Sequence, residues 1–241
     1  MLKNCHPAPG CGIQKRMKYV NLLDSRFREN DNFIYFFLFQ QSHHNNCGIL
    51  LYMILKKWKK IGKSKILAQG YNKKIIKRQF LNPNSGKVED FYLIGQNDWS
   101  IVLPITNDGK VIYVRQYKQG CDEIVIELPA GMPDYKNEKP KEVMRRELME
   151  ETGHKAQKII SLGSFFMSTR NSSARFHAFL AIGCKKAAKQ ELDVNEEIEI
   201  GNASIKEWLE MITKGKIKEH SSIVTTFLSL PHIGGKIIFK K

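Results

Sequence analysis

The segment KPKEVMRRELMEETG, residues 139–153, is punctuated at both ends. Pro140 suits the first turn of a helix, where a missing N–H costs nothing, and Gly153 suits the left-handed residue that stops one. The spacing therefore predicts a helix from about Lys139 to Thr152, with Val143, Met144 and Leu148 free to face a core. The same helix carries Glu147, Glu150 and Glu151, which fall near one face at spacings of three and four. Like charges this close weaken a helix slightly, so something must neutralise them. A cluster of carboxylates suits a hard cation such as Mg2+, which takes oxygen ligands and shares itself with water and substrate phosphates. A solvated acidic face is the alternative.

The chain around this helix reads mostly as strand. SKILAQGY, KKIIKRQF and KVEDFYLI look like strands separated by turn residues, NPNSG among them. SIVLPIT and KVIYVRQY flank NDG at 107–109, a hairpin signal. EIVIELPAG adds a strand that stops at Pro129 and Gly131, ARFHAFLAIG another, and EEIEIGNAS continues the sheet. SIKEWLEMITKG places Ile205, Trp208, Leu209 and Ile212 at helical spacing, and SSIVTTFLSL follows as a second late helix. A strand-rich chain with one central helix and two late ones predicts an α+β fold, a mixed sheet with helices on its faces.

The net charge of +15 over 241 residues suggests nucleic acid only until it is located. Residues 56–78 carry ten basic side chains and no acid, whereas the chain outside 1–52 and this run carries 23 basic and 21 acidic ones. Five cysteines without a C-x-x-C pair imply neither a disulfide framework nor a zinc site, and a reducing, cytoplasmic location is the default. The apolar runs FIYFFLF (33–39) and CGILLYMIL (47–55) are each shorter than the roughly 20 residues a membrane-crossing helix needs. Residues 1–52 have no sustained period. DSRFRENDNF (24–33) resembles the translation of a repeat found between genes in some bacterial genomes. Two readings follow: a natural start at Met53 with 1–52 an over-extended reading, or an ordinary variable tail. The expected organisation is an irregular extension (1–52), N-terminal strands (53–97) and a main domain (98–241).

The stretch 131–154 resembles the Nudix box, the signature of the Nudix hydrolase family. Gly131, Glu138, Arg146, Glu147, Leu148, Glu150, Glu151 and Gly153 match it. There are two departures: one extra residue between Gly131 and Glu138, and His154 where the box ends on an aliphatic residue. The resemblance implies a Nudix-type α/β/α sandwich with a mixed sheet, preceded by N-terminal antiparallel strands. It implies Mg2+ or Mn2+ held by Glu147, Glu150 and Glu151, with the carbonyl of Ala130 joining them. Glu138 and Arg146 would tie the loop to the helix, with Gly131 and Gly153 as structural members of the box. The implied reaction is hydrolysis of a nucleoside diphosphate linked to another group.

VRQYKQG (114–120) and IELPAGMPD (126–134) resemble the ADP-ribose and nucleotide-sugar pyrophosphatase branch, making Arg115 and Glu127 candidate substrate contacts. Arg170, in a loop where that branch carries Ser-Pro-Gly, is a further candidate for an anionic group, and Ala174 stands where the branch often has an acid. DVNEEIEI (193–200) corresponds to the loop that supplies the base, with Glu196 first and Glu197 behind it. His154, His177 and His220 are isolated in sequence and read as structural or solvent-facing. The resemblance also implies a homodimer, a small-molecule nucleotide substrate and no membrane or nucleic-acid partner. The alternatives are another nucleotide sugar such as GDP-mannose, or RNA processing or binding through the basic run 56–78. That run lacks the aromatic interleaving of a single-strand platform.

Overall fold

The structure, a computed structural model, describes residues 56–194 and 196–234; the expectations for residues 1–52 lie outside the described residues. The described residues fall into two compact units, 56–59 with 82–87, and 60–81 with 88–234. In the first, residues 82–87 make a turn in which the Asn82 N–H donates to the Lys87 carbonyl (2.8 Å) and the Gly86 N–H to the Asn82 carbonyl (2.9 Å).

The second unit opens with a three-stranded sheet of β1 (Lys59–Gln69), β2 (Lys73–Leu81) and β3 (Val88–Gln96), in that order. β2 and β3 run antiparallel, from Lys73 opposite Gln96 to Leu81 opposite Val88. Its lysines are mostly solvated: Lys60, Lys63, Lys65, Lys73 and Lys74 are exposed, while Lys77 pairs with Asp90 at 2.7 Å. Among the described residues no helix is long and apolar enough to cross a membrane.

The larger sheet comprises β4 (Trp99–Thr106), β5 (Lys110–Lys118), β6 (Glu123–Glu127), β7 (Ala130–Gly131), β8 (His154–Lys155), β9 (Lys158–Phe166), β10 (Arg175–Lys186) and β11 (Ile198–Ser204). The central order is β11-β5-β4-β10-β8, with β6 on β5, β7 on β4 and β9 on β10. β4 and β10 are parallel and the other pairs are antiparallel, so the sheet is mixed. The loop 107–109 joins β4 to β5, as its Asn-Asp-Gly sequence predicts.

The pleat sends alternate residues to opposite faces. Val102, Ile112, Phe179 and Ala181 pack on one face against Val143, Met144 and Leu148 of α1 (Pro140–Thr152). Ile101, Leu103, Phe176, Ala178 and Leu180 pack on the other with Trp208 of α2 (Ile205–Thr213) and with partly buried Ile223, Val224 and Leu228 of α3 (His220–Ser229). The result is three layers, α1 over the sheet over α2 and α3. Val143, Met144 and Leu148 are each at most 1% exposed, and such burial stabilises by roughly 1.5–3 kcal/mol per side chain. It fixes which way the opposite side of α1 looks. Gly153 ends the helix at φ 65°, and a Cβ there would lie 2.2 Å from the Ala188 carbonyl oxygen.

Two strands escaped the sequence reading, the two-residue β8 and the longer β9. β9 pairs with β10 but slips register between Ala178 and Phe179. The slip breaks the alternation of KIISLGSFF, so no period of two is visible.

Candidate active site

α1 delivers Glu147 and Glu151 to β7. Glu147 lies directly over Gly131; a Cβ on that residue would come within 1.8 Å of its Oε1. Glu151 is 3% exposed, and its Oε2 accepts the Ala130 N–H at 3.1 Å. Burial raises the Glu147 pKa to about 7, against the pull of Arg146 and with the help of Glu150 and Glu196. Burial also raises Glu151 well above the ordinary carboxylate value, and Glu147 and Glu127 push it further. A buried acid beside a partly buried one is a costly arrangement unless a cation joins them.

Arg146 supplies part of the countercharge. Its Nη1 donates to Glu147 Oε1 and to Glu150 Oε2, both at 2.9 Å. Its Nη2 donates to the Met132 carbonyl (2.8 Å) and to Glu138 Oε2 (3.3 Å), and Nε donates to Glu138 Oε1 (3.3 Å) and lies 3.1 Å from Asp134 Oδ2. Glu138, 8% exposed, accepts the Asp134 N–H at 3.0 Å. One guanidinium thus ties the loop after β7 to the helix and spans two of the clustered glutamates. Sequence reasoning assigned it the first job and missed the second.

Lys118 was also missed. Its Nζ lies 2.6 Å from Glu127 Oε1, which also accepts from Gln116 Nε2 at 2.6 Å. Glu127 is 7% exposed, and burial raises its pKa although Lys118 opposes the rise. Gln116 and Lys118 alternate with Arg115 along β5, so they share a face with Glu127 and Arg115 does not. Arg115 instead pairs across the strand with Glu199 at 2.8 Å. The alternation of VRQYK was the available signal.

Arg170 is exposed in the loop between β9 and β10. That loop is braced by the Ile94 N–H donating to the Asn171 carbonyl (2.7 Å) and by Ser168 Oγ donating to Asn171 Oδ1 (2.8 Å). Glu196 and Glu197 are exposed just before β11. The charge of Glu196 acts on Glu147, which puts this loop within electrostatic reach of the cluster. Among the described residues no three His, Cys, Asp or Glu side chains already converge as a cage; Arg146 holds Glu147 and Glu150, and Ala130 holds Glu151.

The model of the NUDIX domain matches residues 97–219, half of the chain, and that span includes α1, the loop after β7 and the loop before β11. The chain belongs to the Nudix family. Within it, the chain is 32% identical over 117 residues to an ADP-ribose pyrophosphatase of Bacillus subtilis (strain 168), covering 48% of this chain and 63% of the relative. It is 31% identical over 124 residues to a methanol dehydrogenase activator of Bacillus methanolicus (51% and 66%). It is 29% identical over 136 residues to a GDP-mannose pyrophosphatase of Yersinia enterocolitica serotype O:8 (53% and 70%). The matches span less than two thirds of the first two relatives. A solved ADP compounds hydrolase shares the fold at 18% identity and TM-score 0.66, over 75% of this chain and 97% of that one.

Nudix hydrolases generally use divalent cations, and the residues here fit one. All donors are hard oxygens, Glu151 is buried and Glu147 partly so, both with raised pKa values, and Gly131 leaves a cradle that any side chain would fill. Gly131→Ala tests the cradle. The added methyl must displace Glu147, so Mn2+ binding followed by electron paramagnetic resonance should weaken at least about 10-fold, the loss typical when a metal ligand is misoriented. Unchanged Mn2+ affinity would show that Glu147 is not held by this contact.

Proposed function

We propose that this chain hydrolyses the diphosphate of ADP-ribose or a related nucleotide sugar, releasing a nucleoside monophosphate and a sugar phosphate. The observation that carries the reading is the pair of interacting glutamates, the partly buried Glu147 and the buried Glu151, beside the Gly131 cradle. Glu147, Glu150, Glu151 and the Ala130 carbonyl would hold Mg2+ or Mn2+. When bound, the cation neutralises charge on the diphosphate and makes a water more acidic. The chain's own residues do the rest. Arg146 holds Glu147 and Glu150 in register with the loop after β7. Glu196 accepts the proton of the attacking water. Lys118 and Glu127 act on Glu151 and, with Arg170 from the loop between β9 and β10, would offer groups that suit phosphate oxygens and ribose hydroxyls.

The substrate test is a panel with Mg2+: ADP-ribose, ADP-glucose, GDP-mannose, dinucleotides and capped RNA. Highest kcat/KM on ADP-ribose or another ADP-sugar supports the reading. Preference for GDP-mannose moves the substrate within the class, and preference for capped RNA overturns it.

We further propose a homodimer, supported by the apolar side chains left open on the three-stranded sheet, where Leu67 is 44%, Ile75 48% and Tyr92 59% exposed. Light scattering should give twice the chain mass; a monomer at micromolar concentration would contradict this.

A further inference from the structure

A helix ends on carbonyls that have no partner inside it, and the last carbonyls of α1 belong to the residues around its glutamates. The chain that follows β10 satisfies them. The Ala187 and Ala188 N–H groups donate to the Gly153 carbonyl (2.8 and 3.1 Å), and the Glu191 N–H donates to the Glu150 carbonyl (3.0 Å). The Glu151 carbonyl is taken by a side chain: Gln190 Nε2 donates to it at 2.7 Å. The same nitrogen donates to the Ile198 carbonyl at 3.1 Å. An amide nitrogen carries two hydrogens, so one group serves both acceptors.

Gln190 comes directly before the stretch that carries Glu196, and the buried Ile198, first residue of β11, comes directly after it. The amide of Gln190 therefore joins the two ends of that stretch and fixes them to the backbone of Glu151. Within the stretch, the Glu196 N–H donates to the Asp193 carbonyl (2.9 Å), and Glu196 Oε2 accepts the Asp193 N–H (3.3 Å). One turn and one amide thus link the Glu196 carboxylate to the helix that bears the glutamate cluster. That link matters for a base, which acts only within hydrogen-bond reach of the proton it takes, directly or through one water.

We infer that Gln190 is a positioning residue for the base: by tying the ends of the Glu196 loop to the Glu151 carbonyl, it sets where the Glu196 carboxylate stands relative to the glutamates of α1. The inference rests on the diphosphatase reading above, with Glu196 as the base. Gln190 touches neither substrate nor cation in it. The competing role is a cap that stabilises the end of α1 and has no bearing on Glu196.

The test is a double-mutant cycle in the full chain, with Mg2+ and the best substrate of the panel above. Gln190→Met keeps the length of the side chain and removes both donors. It should lower kcat about 10- to 100-fold, the scale of a misplacement of about 1 Å, and leave KM within about 2-fold of wild type. Mn2+ affinity, read by electron paramagnetic resonance, should stay as in the wild type. Gln190→Asn has an amide one methylene too short to span both carbonyls; it should act in the same direction, and it replaces Gln190→Met if that variant does not fold. The deciding variant combines either change with Glu196→Gln. Once the base is gone its position is irrelevant, so the double variant should be as slow as Glu196→Gln alone. Losses that multiply, a wild-type kcat in the Gln190 variants, or a loss matched by weaker Mn2+ binding would overturn the positioning role while leaving the diphosphatase reading intact. A Glu196→Gln variant at wild-type kcat would overturn the assignment of the base, and a wild-type chain that cleaves nothing in the panel would overturn the diphosphatase reading; either takes the inference with it.

Discussion

Glu151→Gln should lower turnover by more than about 10²-fold at saturating Mg2+, exceeding the 10–100-fold typical of losing a group that merely supports a metal ligand. It should also make the metal-free protein more stable. The carboxylate is 3% exposed and interacts with Glu147, so its ionised form is penalised in the folded state, and an uncharged amide of the same shape escapes that penalty. The same physics sets a pH dependence. Glu147 titrates at about 7 when folded against 4.5 when free. Between those values the native state holds the extra proton, so stability is present at low pH and is lost as pH rises toward 7. The shift corresponds to roughly 3 kcal/mol for Glu147. Metal-free wild type should therefore melt higher at pH 5 than at pH 8, and the gap should narrow in Glu151→Gln. Mg2+ should raise the wild-type melting temperature at pH 8, because it binds the native state. A variant with near-normal turnover, or one that melts lower than wild type without metal, would contradict this account of the cluster.

The second large effect belongs to the loop before β11. Removing a general base typically costs about 10²–10⁴ in rate. Glu196→Gln should lose activity in that range, in kcat more than in KM, since Glu196 acts on Glu147 from outside the buried cluster. Glu197→Gln should lose little. Steady-state kinetics of both variants on the best substrate decides between them. If both keep wild-type kcat, the base lies elsewhere, with a glutamate of α1 as the next suspect.

The elements that were legible before the structure share one property: their signals are local. Pro140 and Gly153 bound α1 within the sequence itself, and the glutamate spacing fixes their common face. Asn107, Asp108 and Gly109 announce the turn from β4 to β5. What was not legible depends on partners distant in the chain. The slip in β9 arises from its pairing with β10. Arg115 and Glu127 were both candidate substrate contacts, but the pleat puts Glu127 with Lys118 and leaves Arg115 to Glu199. His177 reads as an isolated histidine until β10 is laid beside β4, where the register brings it opposite Ser100. The reach of Arg146 to Glu150 is an i,i+4 pair and was open to sequence reasoning; its simultaneous hold on the Met132 carbonyl was not.

The central claim is that the glutamates of α1 hold a divalent cation that makes the chain a diphosphate hydrolase. The most direct test is phosphorus NMR of purified protein with ADP-ribose, with and without Mg2+, alongside Glu151→Gln. The account predicts AMP and ribose 5-phosphate in equal amounts from the wild type with Mg2+. It predicts none above background with chelator and almost none from the variant. Equal product formation with and without the metal, or from Glu151→Gln at the wild-type rate, would contradict it.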